Sequence, residues 1–198
     1  MRFSPLFWGL LISPLAGVLA LPSQNHISRL LSELDNRVLL QTLAQFNFEP
    51  YELTNFCVDC IRSNTTADYS CGLKFDWYDP NSVKENNVTS CHCNSTWTWD
   101  GVSSIGGDDN PLELPYLPCW EDDLSFFAMR MVGFMNPGNI SIQLAHHYRD
   151  DENFTEPWVW PTTFALPTIL LPEGEQNEKR ISRYTKGPIN ATVVGLTD

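Results

Sequence analysis

The chain has 198 residues, with 24 acidic against 12 basic side chains and a formal net charge of −12. That balance repels phosphate backbones and anionic headgroups, and so argues against nucleic acid and charged membrane surfaces as partners. Domains run to roughly 100–200 residues, so the length predicts one domain with attachments.

Residues 1–20 carry Arg2, an apolar run from Leu6 to Ile12 continuing past Pro14, and the small-residue ending Val18-Leu19-Ala20. This is the pattern of a secretory signal peptide cut after Ala20. Its apolar core is too short and too interrupted for a bilayer of about 30 Å, and no later run approaches the roughly 20 apolar residues a spanning helix needs. The expectation is a secreted, extracellular protein without a membrane span. Residues 21–50 follow as a helical segment. Ser23 to Asn25 supply a cap, and Ile27, Leu30, Leu31, Leu34 and Val38 recur at the three-and-four spacing of one helix face, which Pro50 terminates. An N-terminal amphipathic helix packed across a β-domain is expected.

That β-domain is assigned to residues 51–172. It holds all six cysteines: Cys57, Cys60, Cys71, Cys91, Cys93 and Cys119. An even number behind a signal peptide predicts three disulfides, in a pairing the sequence leaves open. Two rival readings of Cys57-Val-Asp-Cys60 are a redox-active thiol pair and half of a zinc site completed by Cys91-His92-Cys93. Both are disfavoured, because a polar turn (Arg62 to Thr66) follows Cys60 and zinc would have to outcompete oxidation during export. Asn64, Asn87, Asn94, Asn139, Asn153 and Asn190 each open an N-x-Ser/Thr triplet and are expected to carry surface glycans.

Within the domain the hydrophobic period changes to two. Cys71, Leu73, Phe75 and Trp77 share one face of a strand ended by the turn Asp79-Pro80-Asn81. Cys91, Cys93, Trp97 and Trp99 share a face of the next, with Asn94 on the opposite, solvent side. Residues 101–119 read as a loop from their glycines, prolines and acids. Clustered acids there raise calcium as a ligand, but the Asp-x-Asp-x-Asn-Gly spacing and closing Glu of a calcium loop are missing. Residues 124–135 are apolar on both parities, as in a strand covered on both faces. Asn136-Pro137-Gly138 then turns into a strand in which Ile140, Ile142, Leu144 and His146 alternate with Asn139, Ser141, Gln143 and His147. Prolines confine residues 157–172 to short edge strands or extended wrapping. Residues 173–198 are a charged tail with Lys179-Arg180 as a candidate dibasic cleavage site and a short final strand around residues 189–196.

No catalytic residues, cofactor or metal are assigned. His146 and His147 would point to opposite faces of a strand and cannot act on one atom together. Catalytic elbows, zinc-binding His-Glu-x-x-His and phosphate loops are missing from the sequence. Of the seven tryptophans, Trp77, Trp97 and Trp99 fall on core faces. Trp120, Trp158 and Trp160 are less constrained and leave sugar stacking open.

The order of Cys71 to Phe75, Thr89-Ser90-Cys91, Leu117-Pro118-Cys119 and Ser125-Phe126-Phe127 before a glycine-turn hairpin resembles that of small secreted cysteine-rich proteins of filamentous ascomycetes, including the Alternaria-major-allergen-like β-barrels. The likeness covers roughly residues 52–148. It implies a fungal source, a compact antiparallel β-barrel or sandwich and no catalytic residues to carry over. The expectation is therefore a mainly β, disulfide-stapled antiparallel barrel or sandwich that works by binding. Its leading role is that of a virulence effector or elicitor acting on a host extracellular or cell-surface protein of a plant. A protein of the organism's own surface that binds wall carbohydrate is the alternative, and a small secreted hydrolase is a third.

Overall fold

The computed structural model describes residues 47–82, 88–106, 115–155 and 159–197. The signal-peptide and N-terminal helix readings lie outside the described residues, as do Asn87, Trp158 and the acids Asp108 and Asp109. What is described is built of antiparallel strands in two sheets. The first has the order β10-β11-β1-β2-β3, with β12 beside the start of β1. Its strands are β1 (Tyr51–Ile61), β2 (Tyr69–Tyr78), β3 (Ser90–Trp99), β10 (Glu173–Gln176), β11 (Arg180–Tyr184) and β12 (Ile189–Ala191). The second has the order β13-β8-β7-β6-β4, with β5 on β6 and β9 on β7. It comprises β4 (Ile105–Gly106), β5 (Leu117–Glu121), β6 (Phe126–Asn136), β7 (Asn139–His147), β8 (Thr162–Ala165), β9 (Thr168–Leu170) and β13 (Val193–Thr197). The strand orders are open, so of barrel and sandwich the fold takes the layered form. Among the described residues no helix is long and apolar enough to cross a membrane.

The two sheets share one core because most strands turn apolar residues toward the other layer, while Ala128, Ala145 and Phe164 of β6, β7 and β8, on the opposite parity, pack in a second cluster. Cys71, Leu73, Phe75 and Trp77 of β2 are buried, as are Phe127, Met129 and Met131 of β6 and Ile140, Ile142, Leu144 and His146 of β7. Trp77 stands at the centre. Its ring lies edge-on to Phe127 of the other sheet at 4.8 Å and tilted to Tyr51 at 5.1 Å.

Strand β1 runs through the middle of the first sheet, yet its apolar residues do not alternate evenly. Tyr51 and Leu53 are buried, and then Phe56, Val58 and Cys60. The parity changes at a bulge between Thr54 and Cys57, where Asn55 takes a left-handed backbone with φ 52°. Asparagine is the residue that tolerates this region best after glycine. The extra residue keeps both halves of β1 facing the core and puts Cys57 and Asp59 on the outer face.

Two expectations change at this level. Two disulfides form in place of three: Cys60–Cys71 and Cys93–Cys119, with Cys57 and Cys91 as free thiols. Cys57 lies on the outer face of the first sheet and Cys91 on its inner face, so a third bridge between them would have to pass through the sheet. Cys60 and Cys71 are direct cross-strand partners, whereas Cys93–Cys119 ties edge strand β3 of one sheet to β5 of the other. In the loop-closure model the two bonds stabilise by about 3 and about 3.5 kcal/mol. The segment assigned as a charged tail is also part of the sandwich. Residues 173–184 form the β10–β11 hairpin, and β11 pairs with β1 from Cys57↔Tyr184 to Ile61↔Arg180. The expected final strand is present as β12 and β13, which cross from the first sheet to the second at Thr192.

Candidate functional site

Three groups of chemically capable side chains emerge, each positioned by strand register. The first stands on the outer face of the first sheet. β2 and β3 pair so that Asp76 lies opposite His92, and the bulge in β1 turns Asn55 toward the same carboxylate. Asn55 Nδ2 donates to Asp76 Oδ2 at 2.5 Å, and His92 Nδ1 lies 2.7 Å from Asp76 Oδ1. The hydrogen bond from Asn55, with that from His92, holds the Asp76 carboxyl below the usual carboxylate range. Both partners of the Asp76–His92 pair are about half exposed, at 45% and 56%. Lys74 and Asn94 stand next to them on the same exposed face. The sequence shows the outward parity of Asp76 and His92, but only the register between the strands makes them partners.

The second group is sealed inside. Asp79 begins the turn after β2, where its Oδ1 accepts from the backbone and side-chain nitrogens of Asn81 at 2.8 and 2.7 Å. Its Oδ2 lies 2.6 Å from Nδ1 of His146. The imidazole stacks on Phe127 with 3.7 Å between ring centres, and Tyr51 donates nearby to Thr163 Oγ1 at 2.6 Å. Burial pushes the His146 pKa down against the pull of Asp79. A His beside an acid is the arrangement a hydrolase needs. Here both side chains have 0% exposure, and the pair is sealed from solvent among the described residues. His147 faces the other way, as the alternation predicts. It stacks between Phe126 at 5.2 Å and Trp160 at 5.8 Å, with Arg149 over the Trp160 ring at 5.7 Å. Burial lowers its pKa to about 4.

The third group is sulfur. Sγ of Cys91 lies 3.9 Å from Sγ of Cys93, and the sulfurs of Cys91, Cys93 and Cys119 are all within 4.8 Å of one another. With Cys93 and Cys119 joined, only Cys91 retains a thiol to offer a metal. The Cys57-x-x-Cys60 reading dissolves, because the two side chains leave opposite faces of β1, and His92 is turned away from the sulfurs toward Asp76.

The remaining expected sites are placed as follows. Asn64, Asn94, Asn153 and Asn190 are exposed and Asn139 is half-buried. Trp97 and Trp99 pack on Phe134 at 5.1 and 5.3 Å, and Trp120 packs against the core, leaving Trp160 as the described tryptophan with a place in a surface row. The Lys179-Arg180 pair sits in a tight hairpin turn. Arg180 is clamped by both oxygens of Asp59 at 2.8 and 3.1 Å. Comparison of the chain with protein-family models, curated proteins and solved structures gives no match.

Proposed function

We propose that this chain is a secreted, N-glycosylated binding protein of the fungal effector type, recognising a plant host's extracellular or cell-surface protein through the open outer face of its first sheet. The observation that supports this reading is the Asn55–Asp76–His92 constellation. It is a set of part-exposed polar groups already held in one geometry, with Lys74 and the glycan-acceptor Asn94 beside it on the same face. Groups fixed before contact lose little rotamer freedom on binding, so their hydrogen bonds contribute more to affinity. The test is deletion of the gene in its source organism, followed by complementation with the native chain or with Asp76→Ala. Smaller lesions on the host with normal growth in pure culture, restored by the native chain and not by the variant, is the expected result. Slow or malformed growth in culture would sink the effector reading.

A second reading, binding of the organism's own wall carbohydrate, draws on the Phe126–His147–Trp160 row. Aromatic rings and a neighbouring Arg149 are a chemistry suited to sugar faces and hydroxyls. Binding to wall polysaccharide that disappears with Trp160→Ala and survives Asp76→Ala would favour it over the first.

A further inference from the structure

We propose that Cys91, Cys93 and Cys119 form an exchangeable three-sulfur centre, in which Cys119 bonds either to Cys93, as in this structure, or to Cys91. Three observations place the alternative bond within reach. Cys91 and Cys93 are two residues apart on β3 and face the same side, with Cys91 Sγ 3.9 Å from Cys93 Sγ and Cys119 Sγ, bonded to Cys93, within 4.8 Å of Cys91 Sγ. Cys119 is also the extra residue of a bulge, because the register of β5 on β6 passes from Pro118↔Ala128 to Trp120↔Phe127 and skips it. A bulged residue is outside the hydrogen-bond ladder and can re-aim its side chain at low cost. Finally, Cys91 and Cys119 are each half-buried at the margin of the core rather than within it.

The exchange conserves electrons. Cys119 first re-aims so that the Cys91 thiolate lies in line with the Cys93–Cys119 bond; the thiolate then attacks Cys119 Sγ, the Cys91–Cys119 bond forms, and the Cys93–Cys119 bond breaks. Its electron pair leaves on Cys93, which takes up the proton Cys91 gave. No oxidant or reductant is consumed. Attack on Cys93, though its sulfur is close, would join two residues on one strand whose Cβ atoms are about 6.6 Å apart by strand rise, beyond the reach of a disulfide. Burial and the Asp76 carboxylate push the Cys91 thiol up to about 12, so at neutral pH little of the attacking thiolate is present and the exchange is slow. The product re-anchors β5 two residues along β3, which moves the covalent tie between the sheets by about 6.6 Å. The chain thus carries two alternative staples for the same pair of edges.

The experiment uses the full secreted chain with Cys57→Ser, which leaves Cys91 as the one free thiol of the native pairing. Samples are held at pH 7 and pH 10 without reductant and quenched in acid. Thiols are then labelled with N-ethylmaleimide, and tandem mass spectrometry assigns the label between positions 91 and 93. The expected result is a label that moves from Cys91 to Cys93 together with a Cys91–Cys119 linked peptide. The rate should rise about tenfold per pH unit in proportion to thiolate and should not depend on protein concentration. A label that stays on Cys91 throughout at pH 10 overturns the proposal, and so does label on Cys60 or Cys71, which would mean general scrambling. In a second variant, Cys57→Ser with Cys93→Ser, oxidation by glutathione disulfide should close Cys91–Cys119. Two free thiols in that folded variant overturn the proposal equally, and the first measurement stands whether or not the second variant folds.

Discussion

Acidification should loosen this fold through its histidines, and His147 allows the size of the effect to be worked out. Burial holds its folded-state pKa at about 4, against about 6.5 for an exposed imidazole. A histidine with a depressed pKa adds stability that is complete above its unfolded value and is lost as pH falls toward its folded value. The unfolded chain takes up the proton first. Between pH 7.5 and 5.0 this one group removes about 2 kcal/mol, and by pH 4 about 3 kcal/mol, at about 1.4 kcal/mol per pKa unit. His146 acts in the same direction, since burial also lowers its pKa. The assay is urea denaturation of the native chain and of His147→Gln at pH 7.5 and 5.0. The variant should lose about 2 kcal/mol less than the native chain over that interval, while being less stable at pH 7.5 because the ring between Phe126 and Trp160 is gone. Equal pH dependence in the two proteins would refute the reasoning, and would mean that the His147 ring is hydrated in solution.

Alkylation of the denatured chain without reduction should label Cys57 and Cys91, with four further labels after reduction; any other count by intact mass contradicts the pairing described. Trp77→Ala should cost about 3–5 kcal/mol in chemical denaturation, because it empties the centre of the core where both sheets meet. A dibasic protease should leave native Lys179-Arg180 uncut, because cleavage needs the turn opened and the Arg180–Asp59 clamp released. Asp59→Ala should raise the cleavage rate there, and rapid cutting of the native chain would show that the hairpin opens easily.

Where neighbours in sequence are enough, the residues themselves declare the structure. The period of two in β2 and β3 names both the strands and their buried faces, because side chains on a pleated backbone alternate regardless of what they pack against; in β7 it names one face, while Gln143 and Ala145 on the other are buried too. The Asn136-Pro137-Gly138 turn likewise announces the β6–β7 hairpin, and the outward parity of Asn94 is readable from the same alternation. The tertiary structure decides what depends on residues far apart. β1 does not read as a strand because one extra residue at Asn55 reverses its parity midway, and only pairing with β2, β11 and β12 reveals it as central. Residues 173–184 are too polar to signal a strand, and they become one because β11 supplies the backbone partners that β1 lacks on that side. Which cysteines join, and that Asp76 meets His92 while Asp79 meets His146 across 67 residues, follow from register and layer stacking. A one-dimensional pattern carries no record of either, because each is set by the energy of packing two sheets face to face.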